Sequence, residues 1–200
     1  MARRKTITRE HILNAAHEVV STEGFSGFTA RNIASKMKSS TQPIYLEFKN
    51  MDELREAFFE EVETYLRDEI FSREISGDSI IDLTLNYVDF AKKEKMLFRA
   101  LFVEDHADGK LLNEFGFQMF SERAKEREEY KDMNDESLHT AFLSNWITAT
   151  GLASLATSGR MNATNEEIIQ IVKLVNKSLK NNPNFTITMY YLIFGIEMFK

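Results

Sequence analysis

Residues 8–48, TREHILNAAHEVVSTEGFSGFTARNIASKMKSSTQPIYLEF, constrain this chain more than any other segment, because they read as three short helices in the order of a helix-turn-helix. Ile7, Ile12, Leu13, Ala15, Ala16, Val19 and Val20 recur at three- and four-residue spacing, which gathers them on one helical face and leaves Arg9, Glu10, His17 and Glu23 toward water. Gly24 follows the last periodic residue and supplies the left-handed backbone that a helix stop commonly uses, so Phe25 and Phe28 can fold back onto the apolar face. Thr29 is placed to cap a second helix burying Ile33, Ala34 and Met37. Ser39 or Ser40 is the expected cap of a third helix at about residues 40–47, with Pro43 in its first turn, where a missing N–H costs nothing. Ile44 and Phe48 then face inward, and Thr41, Gln42 and Tyr45 outward. Gln can bond an adenine edge in two places, a Thr methyl can touch a thymine methyl, and Tyr can reach a phosphate oxygen.

The pattern T-R-x-x-I-L-x-A-A from Thr8, then Gly24-Phe25, T-x-x-x-I-A from Thr29, S-x-x-x-I-Y-x-x-F from Ser40 and a Leu at 54 resembles the DNA-binding domain of TetR-family transcriptional regulators. It covers residues 7–54. The resemblance implies an all-α, homodimeric, one-component repressor with a variable ligand-binding domain behind the reader. By position it carries Thr29, Arg31, Thr41, Gln42, Tyr45 and Lys49 over as DNA contacts. Ser40, Pro43 and, as an added phosphate contact, Lys38 complete the set on these helices. Three positions depart from the family pattern: Lys38 stands where Gly is usual, Glu47 where His or Tyr is usual, and Met51 where a Lys is common.

Charge argues the same way independently. Residues 1–50 carry eight Lys and Arg against four acids, a net +4, so the remaining residues carry −10 of the chain's −6 total. A basic head on an acidic body presents one face to a polyanion and keeps the rest away from it. Arg3, Arg4 and Lys5 read as a basic arm for phosphate or a minor groove, and Arg4 and Lys5 join the candidate DNA-binding residues.

With 43% apolar residues among 200 there is ample material for a core, and the absence of Cys excludes disulfides, thiolate metal sites and thiol redox switches. The charged N-terminus lacks a following apolar run, and the apolar stretch Met189–Phe199 is far shorter than a membrane span, so a cytoplasmic protein is expected. The division expected is a DNA-binding domain over 1–50 and a helical ligand-binding and dimerisation domain over 51–200. Helices are expected near 51–73, 78–94, 96–104, 108–130, 135–158, 164–181 and 185–199, separated by Gly, Asn, Asp and Ser clusters. The first of these is expected to join the two domains as one rigid rod.

Thirteen of the sixteen Phe lie after residue 50. Phe90, Phe98, Phe102, Phe117, Phe120, Phe142 and Trp146, with Thr150, are the candidate lining of a pocket for a small apolar or aromatic effector; ordinary core packing is the alternative for each. The segments YVDFAKKEKMLFRALF (Tyr87–Phe102) and WITATGLASL (Trp146–Leu155) resemble a C-terminal domain type within the TetR family, whose W-x-x-x-H-G motif has Thr150 in place of His here. The helices near 135–158 and 164–181, with small residues on the first and the Ile168, Ile171, Val172, Val175 stripe on the second, are the expected homodimer interface.

No cofactor or metal is expected. Glu136-x-x-His139 has di-metal carboxylate spacing but lacks the second such pair that a metal-carboxylate bundle enzyme needs. Glu104, Asp105, His106 and Asp108 read as a hydrated turn, and His11 and His17 fall on different helix faces. Phosphate-binding, dinucleotide and nucleophile-elbow motifs are missing, so the chain is not expected to be an enzyme. The remaining alternative is a protein-interaction module with a structural helix-turn-helix. Steep weakening with salt would separate the double-stranded DNA reader from it.

Overall fold

The computed structural model describes residues 7–104 and 109–181, and the side chains at 109, 110, 180 and 181 are not described. The basic arm with Arg4 and Lys5, the acidic turn from Asp105 to Asp108, and the helix expected over 185–199 lie outside these residues. Every described regular element is helical: α1 Arg9–Glu23, α2 Ala30–Lys36, α3 Gln42–Glu47, α4 Met51–Tyr65, α5 Ser79–Lys93, α6 Lys95–Phe102, α7 Gly109–Ala124, α8 Asp135–Thr157 and α9 Asn165–Asn181. The chain divides into two compact units. One holds the described residues up to Asp68 with those from Glu94 to Leu112, and the other holds Glu69–Lys93 with the residues from Asn113 onward.

In the first unit α1 opens with a reciprocal cap: Thr8 Oγ1 accepts from the His11 N–H at 3.4 Å, and His11 Nδ1 accepts from the Thr8 N–H at 3.2 Å. Gly24 closes the helix at φ 69°, in the left-handed region. Ile12, Ala16, Val19 and Val20 are wholly buried where α1 packs on α2, α3 and α4, whose Ile33, Ile44, Leu54 and Phe58 are wholly buried as well. Phe25 stacks on Phe59 at 5.4 Å and meets Phe58 edge-on at 6.0 Å, so the apolar turn after α1 clamps α4. The short helix α6 packs on α1 and buries Leu97, Phe98, Ala100 and Leu101. Between these helices the half-buried His17 ring lies edge-on to Tyr65 at 5.8 Å, and the Tyr65 hydroxyl donates to Glu94. Burial holds the His17 imidazole below its usual pKa, against the opposing pull of Glu94.

The turn between α2 and α3 is sharper than its residues suggest. Lys38 sits at φ 53°; its N–H bonds Ser35 O at 3.0 Å, while Ser39 N–H bonds Ala34 O at 3.0 Å. This pair of bonds is the Schellman arrangement, whose left-handed residue is usually glycine. The third helix starts two residues later than expected, at Gln42. Thr41 rather than Ser39 or Ser40 occupies its cap position, without a side-chain cap bond, and Ser39 Oγ donates to Ser40 O at 2.9 Å.

The second unit is built on α5, whose Ile80, Ile81, Leu85, Val88 and Phe90 are buried together with the polar Asp82, Thr84 and Asn86, and which packs against α8 and α9. Asp82 clamps the preceding loop by accepting from Ile75 N–H at 3.2 Å, Ser76 N–H at 2.7 Å and the Ser76 hydroxyl. Asn86 donates to Arg73 O at 2.8 Å, and Arg73 pairs with Asp89 at 2.8 Å. Asn134 and Thr164 cap α8 and α9, the latter reciprocally with Glu167.

Two helical expectations are corrected. The rod expected over 51–73 is α-helical only to Tyr65 and widens to a π-helical turn over Leu66–Ile70. The helix expected over 108–130 stops at Ala124 and gives way to turns. Residues 125–130 have strong helix propensity, but tertiary contacts override it. Arg127 is drawn to Asp78 at 2.9 Å and Glu129 at 2.8 Å, and Tyr130 buries its ring edge-on to Phe120 at 5.7 Å.

Replacing Asp82 with Ala removes an acceptor serving three donors and is expected to lower unfolding free energy by about 2 kcal/mol in urea denaturation, with Asn costing less. Lys38→Gly relieves left-handed strain and is expected to raise stability by about 1 kcal/mol; an unchanged urea midpoint would contradict the strained turn.

Candidate nucleic-acid interface

The outward face of α3 exists because its inward face is spent. Ile44 is 0% and Phe48 1% exposed, and the Arg9 guanidinium lies 4.6 Å from the Phe48 ring centroid. With these two residues held, helical geometry turns Gln42, Tyr45 and Leu46 to one exposed side. Tyr45 is 51% and Leu46 76% exposed, which makes Leu46 the most exposed large apolar side chain among the described residues. Leu46 was missed by sequence reasoning. The signal was present, since Ile44 and Phe48 fix the register and place residue 46 beside residue 42.

The other expected residues fall around this face. Pro43 occupies the first turn of α3, half-buried, and Thr41 is half-buried at the cap. Ser40 and Lys38 are exposed in the turn, and Lys49 is exposed just beyond α3. Thr29 caps α2 with its Oγ1 accepting from the Asn32 N–H at 3.2 Å, and Arg31 is exposed in the first turn of the same helix. Among the described residues, the side chains of Arg31, Lys38, Gln42, Tyr45 and Lys49 have no hydrogen bond or ion pair. Glu47, exposed, lies on a different flank of α3 from Gln42 and Tyr45.

The aromatic residues expected to line a pocket separate into groups. Phe117 meets Phe142 edge-on at 5.5 Å, Phe120 meets it at 5.9 Å, and Trp146 stacks on it at 6.2 Å. Thr150 Oγ1 lies 3.3 Å from the Tyr87 hydroxyl, in the same second unit, and burial pushes that phenol well above its usual range. Phe90 is buried on α5. Phe98 and Phe102 pair at 5.9 Å on α6, in the first unit. A groove of about 320 Å³ in the second unit is lined instead by Asp78 and Ile81 of α5 and its approach, by Arg127, Glu129, Tyr130 and Met133 after α7, by Ala141 of α8, and by Lys173, Asn176, Lys177 and Leu179 of α9.

Residues 12–58 match the family described as bacterial regulatory proteins, tetR family. No curated protein sequence matches the chain significantly. Among solved structures, a TetR-family protein from Vibrio parahaemolyticus, described as a transcriptional regulator, shares the fold with a TM-score of 0.60 at 15% identity, over 85% of this chain and 97% of that one. NalD of Pseudomonas aeruginosa, the secondary repressor of the MexAB-OprM multidrug efflux pump, shares it with a TM-score of 0.56 at 20% identity, over 84% of this chain and 94% of that one. No described helix is long and apolar enough to cross a membrane. With the anchored α3, its exposed polar face and the match over residues 12–58, the chain carries a TetR-family helix-turn-helix DNA-binding domain on the all-helical fold of TetR-type regulators.

Proposed function

We propose that the chain is a cytoplasmic, non-catalytic, one-component transcriptional repressor that binds a near-palindromic operator as a homodimer and is released by a small apolar or aromatic molecule. The observation that carries the reading is the α3 face: Gln42 and Tyr45 are exposed and uncommitted while Ile44 and Phe48 anchor the helix behind them. Gln42 and Thr41 read bases, and Tyr45, Lys49, Thr29, Arg31 and Lys38 meet the phosphates, flanked by Ser40 and Pro43 and by Arg4 and Lys5 of the arm. NalD, a repressor by its description, has the same fold, which supports the repressing role.

Dimerisation through α8 and α9 is supported by their unpartnered faces. Ile147 is 40% and Leu155 39% exposed on α8, with Gly151 exposed between them and open space where its Cβ would lie. On α9 Leu174 is 63% exposed, whereas Ile168 and Val172 of the stripe expected at the interface are 2% and 0% exposed and pack within the chain. Small residues flanked by apolar ones let a twofold copy approach closely, and a dimer presents two α3 helices about 34 Å apart to successive major grooves.

The test is fluorescence anisotropy with a labelled duplex from upstream of the chain's own gene, titrated beside a shuffled duplex at two salt concentrations. Specific binding that weakens steeply with salt is expected, reduced about 100-fold in a Gln42→Ala, Tyr45→Ala double variant. Absence of binding to either duplex at low salt would remove the reading. Leu174→Glu is expected to shift the protein toward monomer in sedimentation and to weaken operator binding; an unaltered dimer would place the interface elsewhere.

A further inference from the structure

The groove in the second unit has a polar side. Tyr130 is only 6% exposed, but its hydroxyl is open to solvent and makes no hydrogen bond among the described residues, so it is an available donor at the groove surface. Burial, reinforced by Glu129 and Asp78, pushes that phenol up to about 12, so it remains a proton donor at neutral pH. Lys173 and Lys177, one turn apart on α9, border the same groove, are exposed, and have no ion pair among the described residues. The third cation of the lining, Arg127, is already held by Asp78 and Glu129 at 2.9 and 2.8 Å. Three cations against the two carboxylates leave the groove lining with a net charge of +1.

The remaining wall is formed by the apolar Ile81, Met133, Ala141 and Leu179 with the polar Asn176, whose Oδ1 accepts from Asn145. A volume of about 320 Å³ lies at the small end of ligand pockets. Lys177 stands three residues from Leu174 and shares its side of α9, so the groove borders the face assigned above to the dimer. The groove also communicates with the aromatic cluster: Tyr130 touches Phe120, Phe120 touches Phe142, and Phe142 stacks on Trp146, the single tryptophan of the chain.

We propose that this groove binds a small amphiphilic monocarboxylate, with the Tyr130 hydroxyl and the Lys173 and Lys177 ammonium groups on the carboxylate and the apolar body against Met133 and Leu179. The assignment rests on the repressor reading, for which it supplies the chemical class of the effector. A single negative charge fits better than a phosphate, because a second charge would meet Asp78 and Glu129 on the same rim.

The full chain is titrated with 4-phenylbutyrate, octanoate and decanoate, and in parallel with the corresponding alcohols, following Trp146 fluorescence; operator anisotropy is recorded in the same titrations. Saturable binding of at least one acid is expected, roughly tenfold tighter than its alcohol, and weakened about tenfold by Tyr130→Phe and by Lys173→Gln with Lys177→Gln. Both variants leave the hydrophobic contacts in place, so their thermal unfolding reports whether they remain folded. Acids and alcohols binding equally, an acid affinity unchanged in the folded variants, or no saturable binding by any of the three acids would overturn the site. Acid binding with the expected dependences but without operator release would overturn the effector role while the groove stands. Operator binding that fails in the unliganded chain would overturn the repressor reading alone, since the fluorescence titration does not depend on DNA.

Discussion

The burial of Ile44 and Phe48 is the constraint on which the reading face depends. A helix of the length of α3, Gln42–Glu47, is far below what is stable alone in water, so its existence and its rotation both come from tertiary packing. Once those two side chains are buried, with α3 packed on α1, the position of Gln42, Tyr45 and Leu46 is no longer free. The left-handed Lys38 sets the direction in which the chain leaves α2 and thus the angle at which α3 arrives. A short element is thereby positioned as firmly as a long one, at the expense of one strained lysine.

The support behind α3 is assembled from distant parts of the chain. Phe25, Phe28, Phe58 and Phe59 form one ring cluster that ties the turn after α1 to α4. From more than thirty residues further on, α6 returns to pack on α1, with Ala100 fully buried at the contact. The small side chain allows the close approach, and Tyr65 joins Glu94 at the start of α6 to His17 of α1. The first unit is thus a composite of two chain segments around one core, while the second is organised by α5, whose buried Asp82 and Asn86 reach back to the segment before it although Asn86 Oδ1 is left without a partner. Asp82 holds the loop before α5, Asn86 holds Arg73 O, and in α8 Asn145 donates to Ala141 O and to Asn176 of α9.

Legibility in the sequence followed the range of the interactions involved. Periodicity and caps are local, so the three helices of the reader, the inward Ile44 and Phe48, the Gly24 stop and the Asn134 start of α8 could be read from neighbours in the chain. The end of α7 at Ala124 could not, because the residues that draw Arg127 and Tyr130 away from a continued helix are Asp78 and Phe120, one of them distant in the chain. For the same reason a dense run of Phe and Met announced an apolar core without saying which rings meet. Phe98 and Phe102 went to one unit, and Phe117, Phe120, Phe142 and Trp146 to the other.

By itself the sequence determined the all-helical class, the helix-turn-helix and its polar outward residues, since each depends on side-chain spacing within one or two turns. Tertiary structure alone decided that α6 belongs with the reader, that α4 passes into a π-helical turn at Leu66, that Lys38 adopts a glycine conformation, and that Leu46 stands exposed beside Gln42. It also decided that a groove lined by Tyr130 forms beside Lys173 and Lys177. These features arise where segments far apart in the chain compete for the same volume, and spacing along one segment carries no record of what will be packed against it.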